Sequence, residues 1–383
     1  MKKIVNVKLS QHSVPTLPKV TKDSRGWLVW GKGNKAPGQL LEDIGASPVN
    51  GSILRSKITY TVGKGTRGTS AANFKPNPEE TWDDLIRCIA TDYITFGGFA
   101  LQVVPNVDNK TVTIYHQDFT EVRVGEIDEY GKPESFVICA DWSRPNGKTK
   151  PVPIPKWPGS VDKCEPDENG KPQPHLVYVK DYYPGSKYYP VPDYYEAIDY
   201  IIADGLLGPF FKNSIKNGFT PSVVISMPSN PSEEEKAEVQ ADMEASFQGP
   251  AGASEVVILW GENKAVKPEI VPFNASANAD IYNNVEGIIF QKIISAHRLS
   301  SPTLAGVSGS GNLSGNASEI IDSFILFNYS VIEAYRNKIL DVLNEFTRMR
   351  SQAPLVIEDL DVVAKIRESE TEKGETFTLT KSK

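Results

Sequence analysis

Histidine is scarce and scattered in these 383 residues: His12, His116, His175 and His297 are all there is. No two stand at i, i+4, the spacing that sets two imidazoles on one helix face, so a helical metal pair is excluded. Cysteine is nearly as rare. Cys88, Cys139 and Cys164 are odd in number and lack paired spacing, so neither a zinc site nor a disulfide framework is expected, and three ordinary thiols in a reducing compartment are the simplest reading. No run approaches the roughly eighteen apolar residues of a membrane span. The amino terminus, MKKIVNVKLSQHSVP, carries lysines without the apolar core of a secretory signal, and the cytoplasm is the expected place of synthesis. A surplus of positive charge is missing too. With 41 Lys and Arg against 48 Asp and Glu the formal charge is -7, the wrong sign for gripping nucleic acid through its phosphates.

What is present is a folded but heavily punctuated chain. The length allows two or three modest domains, while 28 prolines and 29 glycines call for many turns. Residues 1–75 alternate short apolar runs with Gly, Pro and Ser clusters, which predicts loops and short strands. At Asn77 the pattern sharpens: Asn77 as cap, Pro78 at the first helical position and Glu80 three residues after the cap predict a helix over 78–96. Its apolar face is Trp82, Leu85, Ile86, Ile89, Tyr93 and Ile94, and Gly97-Gly98 stops it.

Strands are predicted at 99–104, 111–115, 121–124 and 135–140, read together as a meander that completes an α+β domain with the helix. Residues 143–173 hold seven prolines and read as a long surface excursion. A strand at 176–179 then leads to a helix from Asp193 to about Asn217, with a kink or break expected at Pro209. Beyond it a βαββ order is predicted: a strand at 222–226, a helix opened by Ser232 with Glu235 in capping-box position, and strands at 255–260 and 264–271. A helix over 277–297, a small-residue loop over 300–318 and a helix from Asn316 to Arg350 follow, the last about 50 Å long if unbroken. The carboxyl-terminal ESETEKGETFTLTKSK is polar, and disorder is expected there.

The motifs that could carry chemistry are weak. Gly63-Lys64-Gly65-Thr66-Arg67-Gly68 has dinucleotide-site glycine spacing, but Asn73, Pro76 and Pro78 follow where a helix should open. Gly306 to Gly311 has phosphate-loop spacing, yet Asn312-Leu313 stand where lysine and a hydroxyl are needed, so ATP hydrolysis is not supported. The serines of this stretch lack the strand–turn–helix frame of a nucleophile elbow. The carboxylates Glu233, Glu234, Glu235 and Glu238 read as a solvated helix face.

From Asn217 to Phe346 the order of elements resembles the portal proteins of tailed bacteriophages, in particular the compact HK97-like type. KNGF, PSVVISM and the span FQGPAGASEVVILWGENKAVKPEIVPF are similar to the family's first stem helix followed by its clip. IIFQKIISAHRLSSPTLAGVSGSGN resembles the second stem helix, whose Ile-x-x-Ala-x-x-x-x-Pro-x-x-x-Gly pattern is met approximately by Ile294, Ala296, Pro302 and Gly306. Upstream, DYITFGGFALQVVP is similar to the wing segment and YYPVPDYYEAIDYI to the entry into the stem. Pro209, the 143–173 excursion and a short carboxyl-terminal region depart from the pattern.

The resemblance implies a portal fold: an α/β wing over 1–190, stem helix 1 over 191–217, the βαββ clip over 218–273, stem helix 2 over 274–299, a tunnel loop over 300–316, a long helix over 317–350, and a short strand and disordered tail over 351–383. It further implies a ring, usually of twelve copies, at one capsid vertex. Double-stranded DNA passes through without sequence recognition. The implied partners are the terminase large subunit, the major capsid protein and a head–tail adaptor, with no membrane and no cofactor. Localisation would be the virion, after assembly in host cytoplasm. Ser308, Gly309, Ser310, Gly311, Asn312, Leu313 and Ser314 would project towards the channel axis, where small residues without Lys or Arg favour sliding over gripping. Glu233, Glu234 and Glu238 would lie on the clip, facing terminase or adaptor. Another head–tail connector or minor head protein fits the same acidic profile. A hydrolase built on distant His and carboxylate residues is the alternative of another class, which a close constellation of His116, His175 or His297 would favour.

Overall fold

A computed structural model describes residues 17–67, 74–106, 110–145, 149–216, 223–227, 232, 234–235, 238, 256–260, 269–272, 279–306 and 317–360. The architecture is α+β, and the chain divides into two compact units. One comprises residues 1–42, 50–199 and 294–383; the other comprises 43–49 and 200–293.

The first unit begins with a hairpin of β1 (Val20–Lys22) and β2 (Leu28–Trp30). Where loops and strands were expected, two helices follow, α1 (Ala36–Gly45) and α2 (Pro48–Val62). The reason α2 escapes a hydrophobic-pattern reading lies in its buried face. That face is Asn50, Ile53, Leu54, Lys57, Thr61 and Val62, half of it polar.

Helix α3 (Trp82–Phe96) starts later than the sequence suggested. Thr81 is the cap: its hydroxyl accepts from the Asp84 N–H at 3.2 Å, and the Asp84 carboxylate accepts from the Thr81 N–H at 3.0 Å. This reciprocal box displaces Asn77, whose side chain instead accepts from the N–H groups of Glu79 and Glu80 in a turn before the helix. The stop is as expected, with Gly97 at φ 79° returning its N–H to the Tyr93 carbonyl.

The expected strands form, but not as one meander. β3 (Gly98–Pro105) lies between β4 (Val112–Gln117) and β8 (His175–Lys180), antiparallel to both. A separate antiparallel sheet orders β5 (Val122–Val124), β6 (Ser135–Ile138) and β7 (Val152–Pro155). β7 comes from the proline-rich segment read as an excursion. Proline lacks the N–H that a central strand must donate, and Pro153 and Pro155 accordingly sit on an edge strand.

Phe96, Ala100, Phe119, Val122, Phe136, Ile154, Leu176 and Tyr189 make the core with Leu28 and Trp30. Arg123 crosses this core with 1% of its surface exposed. Its guanidinium lies 5.6 Å from the Trp30 ring centre and 4.8 Å from that of Trp142. It donates to the Asn34 side chain and to the carbonyls of Asn34, Thr120 and Val122. Burial lowers its pKa to about 10, so π faces and carbonyl dipoles hold the cation.

The long carboxyl-terminal helix is helical throughout its expected span but not uniform. α6 (Ala317–Phe327) passes through a π-helical segment, Asn328–Ile332, into α7 (Glu333–Met349). Beyond it the short strand expected after 350 is, among the described residues, a single bridge between Ile357 and Thr66. The polar tail lies outside the described residues.

In the second unit, α4 (Ile198–Lys216) continues past Pro209, so the helix is not broken there. One missing donor does not end a helix already propagating from the buried Ile198 and Ile201. Gly205 is there for space: a Cβ on it would stand 2.8 Å from that of Ala46. Next door the Asp204 carboxylate accepts from the Ser47 hydroxyl at 2.5 Å. β9 (Val223–Met227) lies between β10 (Val256–Trp260), parallel, and β11 (Glu269–Pro272), antiparallel. Ser232 and Glu235 make the expected capping box. Helix α5 (Ala279–Ala296) leads out of this unit.

Candidate functional site

The residues where the chain departs for, and returns from, the predicted channel loop are built as follows. α5 ends at Ala296, and a short 3-10 turn at Pro302–Ala305 closes on Gly306 at φ 73°. Leu304 and Ala305 are buried. On the return side the Ser300 hydroxyl donates to the Ser323 carbonyl of α6 at 2.6 Å, so the two flanks of 307–316 are held together. Ser308 to Ser314 themselves lie outside the described residues, as does Glu233. Glu234 and Glu238 are exposed helical residues of the second unit.

Helix α2, which the hydrophobic pattern did not reveal, supplies the floor of this region. The Ser52 hydroxyl donates to the Ala305 carbonyl at 2.6 Å, and the Tyr60 hydroxyl to the Leu304 carbonyl at 2.5 Å. The Tyr60 ring packs edge-on against Phe324 and Phe327. Nearer the start of α2, His297 Nε2 is 2.8 Å from Asn50 Oδ1, and the imidazole stacks on Tyr194 at 5.0 Å. Burial, together with the charge of Lys57, drives the His297 pKa well below its ordinary value, so the ring is neutral.

Asp193, just before α4, gathers the surrounding charges. It accepts from Lys57 Nζ at 3.1 Å, from the Tyr335 hydroxyl, and from Arg298 at 3.4 Å. Lys57 has no exposed side-chain surface, and burial lowers its pKa against the opposing pull of Asp193. Burial acts to raise the Asp193 pKa, but the charge of Lys57 and the Tyr335 hydrogen bond outweigh it and hold it below the usual carboxylate value. Arg336 completes the frame: it donates to the carbonyls of Tyr60 and Thr61 at the end of α2 and to Asp359 at 2.6 Å. Sequence reasoning missed Asn50, Ser52, Lys57 and Tyr60, and it read Asp193 only as the start of a helix. The trace of the α2 residues was polar side chains recurring at helical spacing in a segment rich in Ser and Thr.

The three described histidines have separate partners. His116 Nε2 is 2.7 Å from Asp92 Oδ2, which also accepts from the Phe119 N–H. Burial opposes charging of His116, but Asp92 prevails and its pKa is raised. His175 lies on β8, across β3 from β4, so about 10 Å separates its strand from that of His116. Among the described residues no group of three or more His, Cys, Asp or Glu is placed to hold a metal. Gly63 and Gly65 follow α2 rather than open a helix, the reverse of a dinucleotide site. No described helix is long and apolar enough to cross a membrane.

No protein-family model and no curated relative matches the sequence. Solved structures do match. A chain in the virion of a native gene transfer agent (GTA) particle superposes with a TM-score of 0.57 at 13% identity, over 90% of this chain and 91% of that one. A chain in the neck of the native GTA particle, computed with C12 symmetry, gives 0.57 at 12% identity over 96% and 94%. An HK97 family phage portal protein from Corynebacterium diphtheriae aligns over 86% and 96% at 13% identity, with a TM-score of 0.48. Over nine-tenths of its length the chain therefore has the fold of a chain of the gene-transfer-agent particle and its neck, in keeping with the resemblance read from the sequence.

Proposed function

We propose that the chain is a portal protein, a structural subunit of a homo-oligomeric ring of about twelve copies at one capsid vertex. The observation that carries this reading is the near full-length likeness in fold to a chain in the neck of the native GTA particle, computed with C12 symmetry. In this reading the ring is the conduit for double-stranded DNA during packaging and ejection. Its clip, including Glu233, Glu234 and Glu238, meets the terminase large subunit and later the head–tail adaptor, while the major capsid protein surrounds it. The chain is not an enzyme here, and energy for translocation comes from the terminase.

Two properties of the chain fit that role. A formal charge of -7 per copy gives a ring that repels phosphate rather than trapping it, and residues 308–314 add no Lys or Arg to the channel. In the second unit Leu206 and Phe210 on α4, and Val285 and Ile288 on α5, are exposed. Large apolar side chains on exposed helix faces are stabilised once neighbouring copies cover them, by about 1.5–3 kcal/mol for each one fully buried. Deletion of 308–314 tests the reading in assembling particles. Rings should still form while packaged DNA is shorter or poorly retained; unchanged DNA length and yield would count against it.

A further inference from the structure

The 3-10 turn at Pro302–Ala305 is tied to helix α2 where the chain departs for 307. The Gly306 N–H closes back on Pro302 and Thr303, so the carbonyls of Leu304 and Ala305 have no partner within the turn. Both residues are buried, which makes unpaired carbonyls there costly. Helix α2 supplies the two donors, through Ser52 and Tyr60. The same helix holds His297 through Asn50, five residues before the turn.

α2 is itself fixed from beneath. Lys57 is bound to Asp193 and Tyr335, and the last carbonyls of the helix are capped by Arg336. Because the donors sit on a helix clamped at its middle and its end, a shift in the point of departure of the chain breaks several partly buried polar contacts together.

We propose that α2 is the anchor of the channel loop, with Ser52 and Tyr60 as positioning residues that fix where residues 307–316 emerge. The inference rests on the reading of 308–314 as that loop. It requires no contact between α2 and DNA: the two hydroxyls act through the carbonyls they hold.

The test uses the full chain carrying S52A, Y60F or both, with S52T as the conservative control. Amide hydrogen exchange is followed by mass spectrometry across 299–306 and, for comparison, 82–105, alongside ring formation and DNA retention in particles. Exchange over 299–306 should rise about tenfold or more in the double variant, a loss of ~1.4 kcal/mol of local protection. The 82–105 region should not change, S52T should behave as the parent, and DNA retention should fall towards that of the loop deletion although rings form. Unchanged exchange over 299–306 would overturn the anchor. Faster exchange with full DNA retention, where the loop deletion does impair retention, would overturn the positioning role. Should the loop deletion itself leave packaging intact, the portal reading fails, and the anchor is judged on exchange alone.

Discussion

Lys57 and Asp193 give the sharpest energetic test. Lys57 has 0% and Asp193 26% of its side chain exposed, and their charged atoms are 3.1 Å apart. Removing one member of a buried pair costs about 3–5 kcal/mol, because the other is left charged in a poor solvent. Asp193→Asn strands the ammonium of Lys57 against the Tyr335 hydroxyl, 3.3 Å away, and should cost about 3–5 kcal/mol. Lys57→Met should cost less, about 2–3 kcal/mol, because Asp193 keeps Tyr335 and Arg298 and part of its hydration. The double variant leaves neither charge and fills the space with an apolar chain, so about 1–3 kcal/mol is expected in place of the sum. Urea unfolding followed by tryptophan fluorescence is the assay, since Trp27, Trp30, Trp82, Trp142 and Trp157 all belong to the same unit as the pair. A coupling energy of at least about 2 kcal/mol is predicted. Costs that add to within about 0.5 kcal/mol would refute the view that the pair is one electrostatic unit.

Three further outcomes follow from the same contacts. Arg123→Lys keeps a charge but loses the planar fork that reaches Asn34 and the Thr120 and Val122 carbonyls between two indoles; about 2–4 kcal/mol of stability should be lost in the same urea assay. His297 has a folded pKa depressed below its unfolded value of 6.5, so its unfolded form alone takes a proton as the pH falls. Its contribution is present above pH 6.5 and is lost below it with a slope approaching about 1.4 kcal/mol per pH unit, and His297→Asn should flatten that part of the stability–pH profile. Leu326, 61% exposed on α6, and Leu206, 63% exposed on α4, should tolerate Glu as monomers with unchanged melting but assemble poorly, as read by sedimentation velocity.

How much of this was legible follows from where polarity was placed. The helix before Gly97 and the strands on either side of β3 were readable because their buried positions are apolar at the period of the element: Leu85, Ile86 and Ile89 for α3, Phe99, Leu101 and Val103 for β3. The start of α3 was misread because two capping sequences lie four residues apart, and the stronger reciprocal box at Thr81 and Asp84 wins. α2 was hidden because the residues it buries include Asn50, Lys57 and Thr61, whose partners at His297, Asp193 and Arg336 are more than a hundred residues away. Only the tertiary structure tells a buried lysine from a solvated one. The strand at Val152–Pro155 was hidden by its prolines, which an edge position tolerates. The family-level reading drew on the order of elements over most of the chain, and that order is what the likeness in fold tests.

Electron microscopy of the purified chain over a concentration series shows whether it closes into a ring. Closed rings of about twelve copies around a channel wide enough for duplex DNA are predicted; a closed oligomer without a channel would contradict the account.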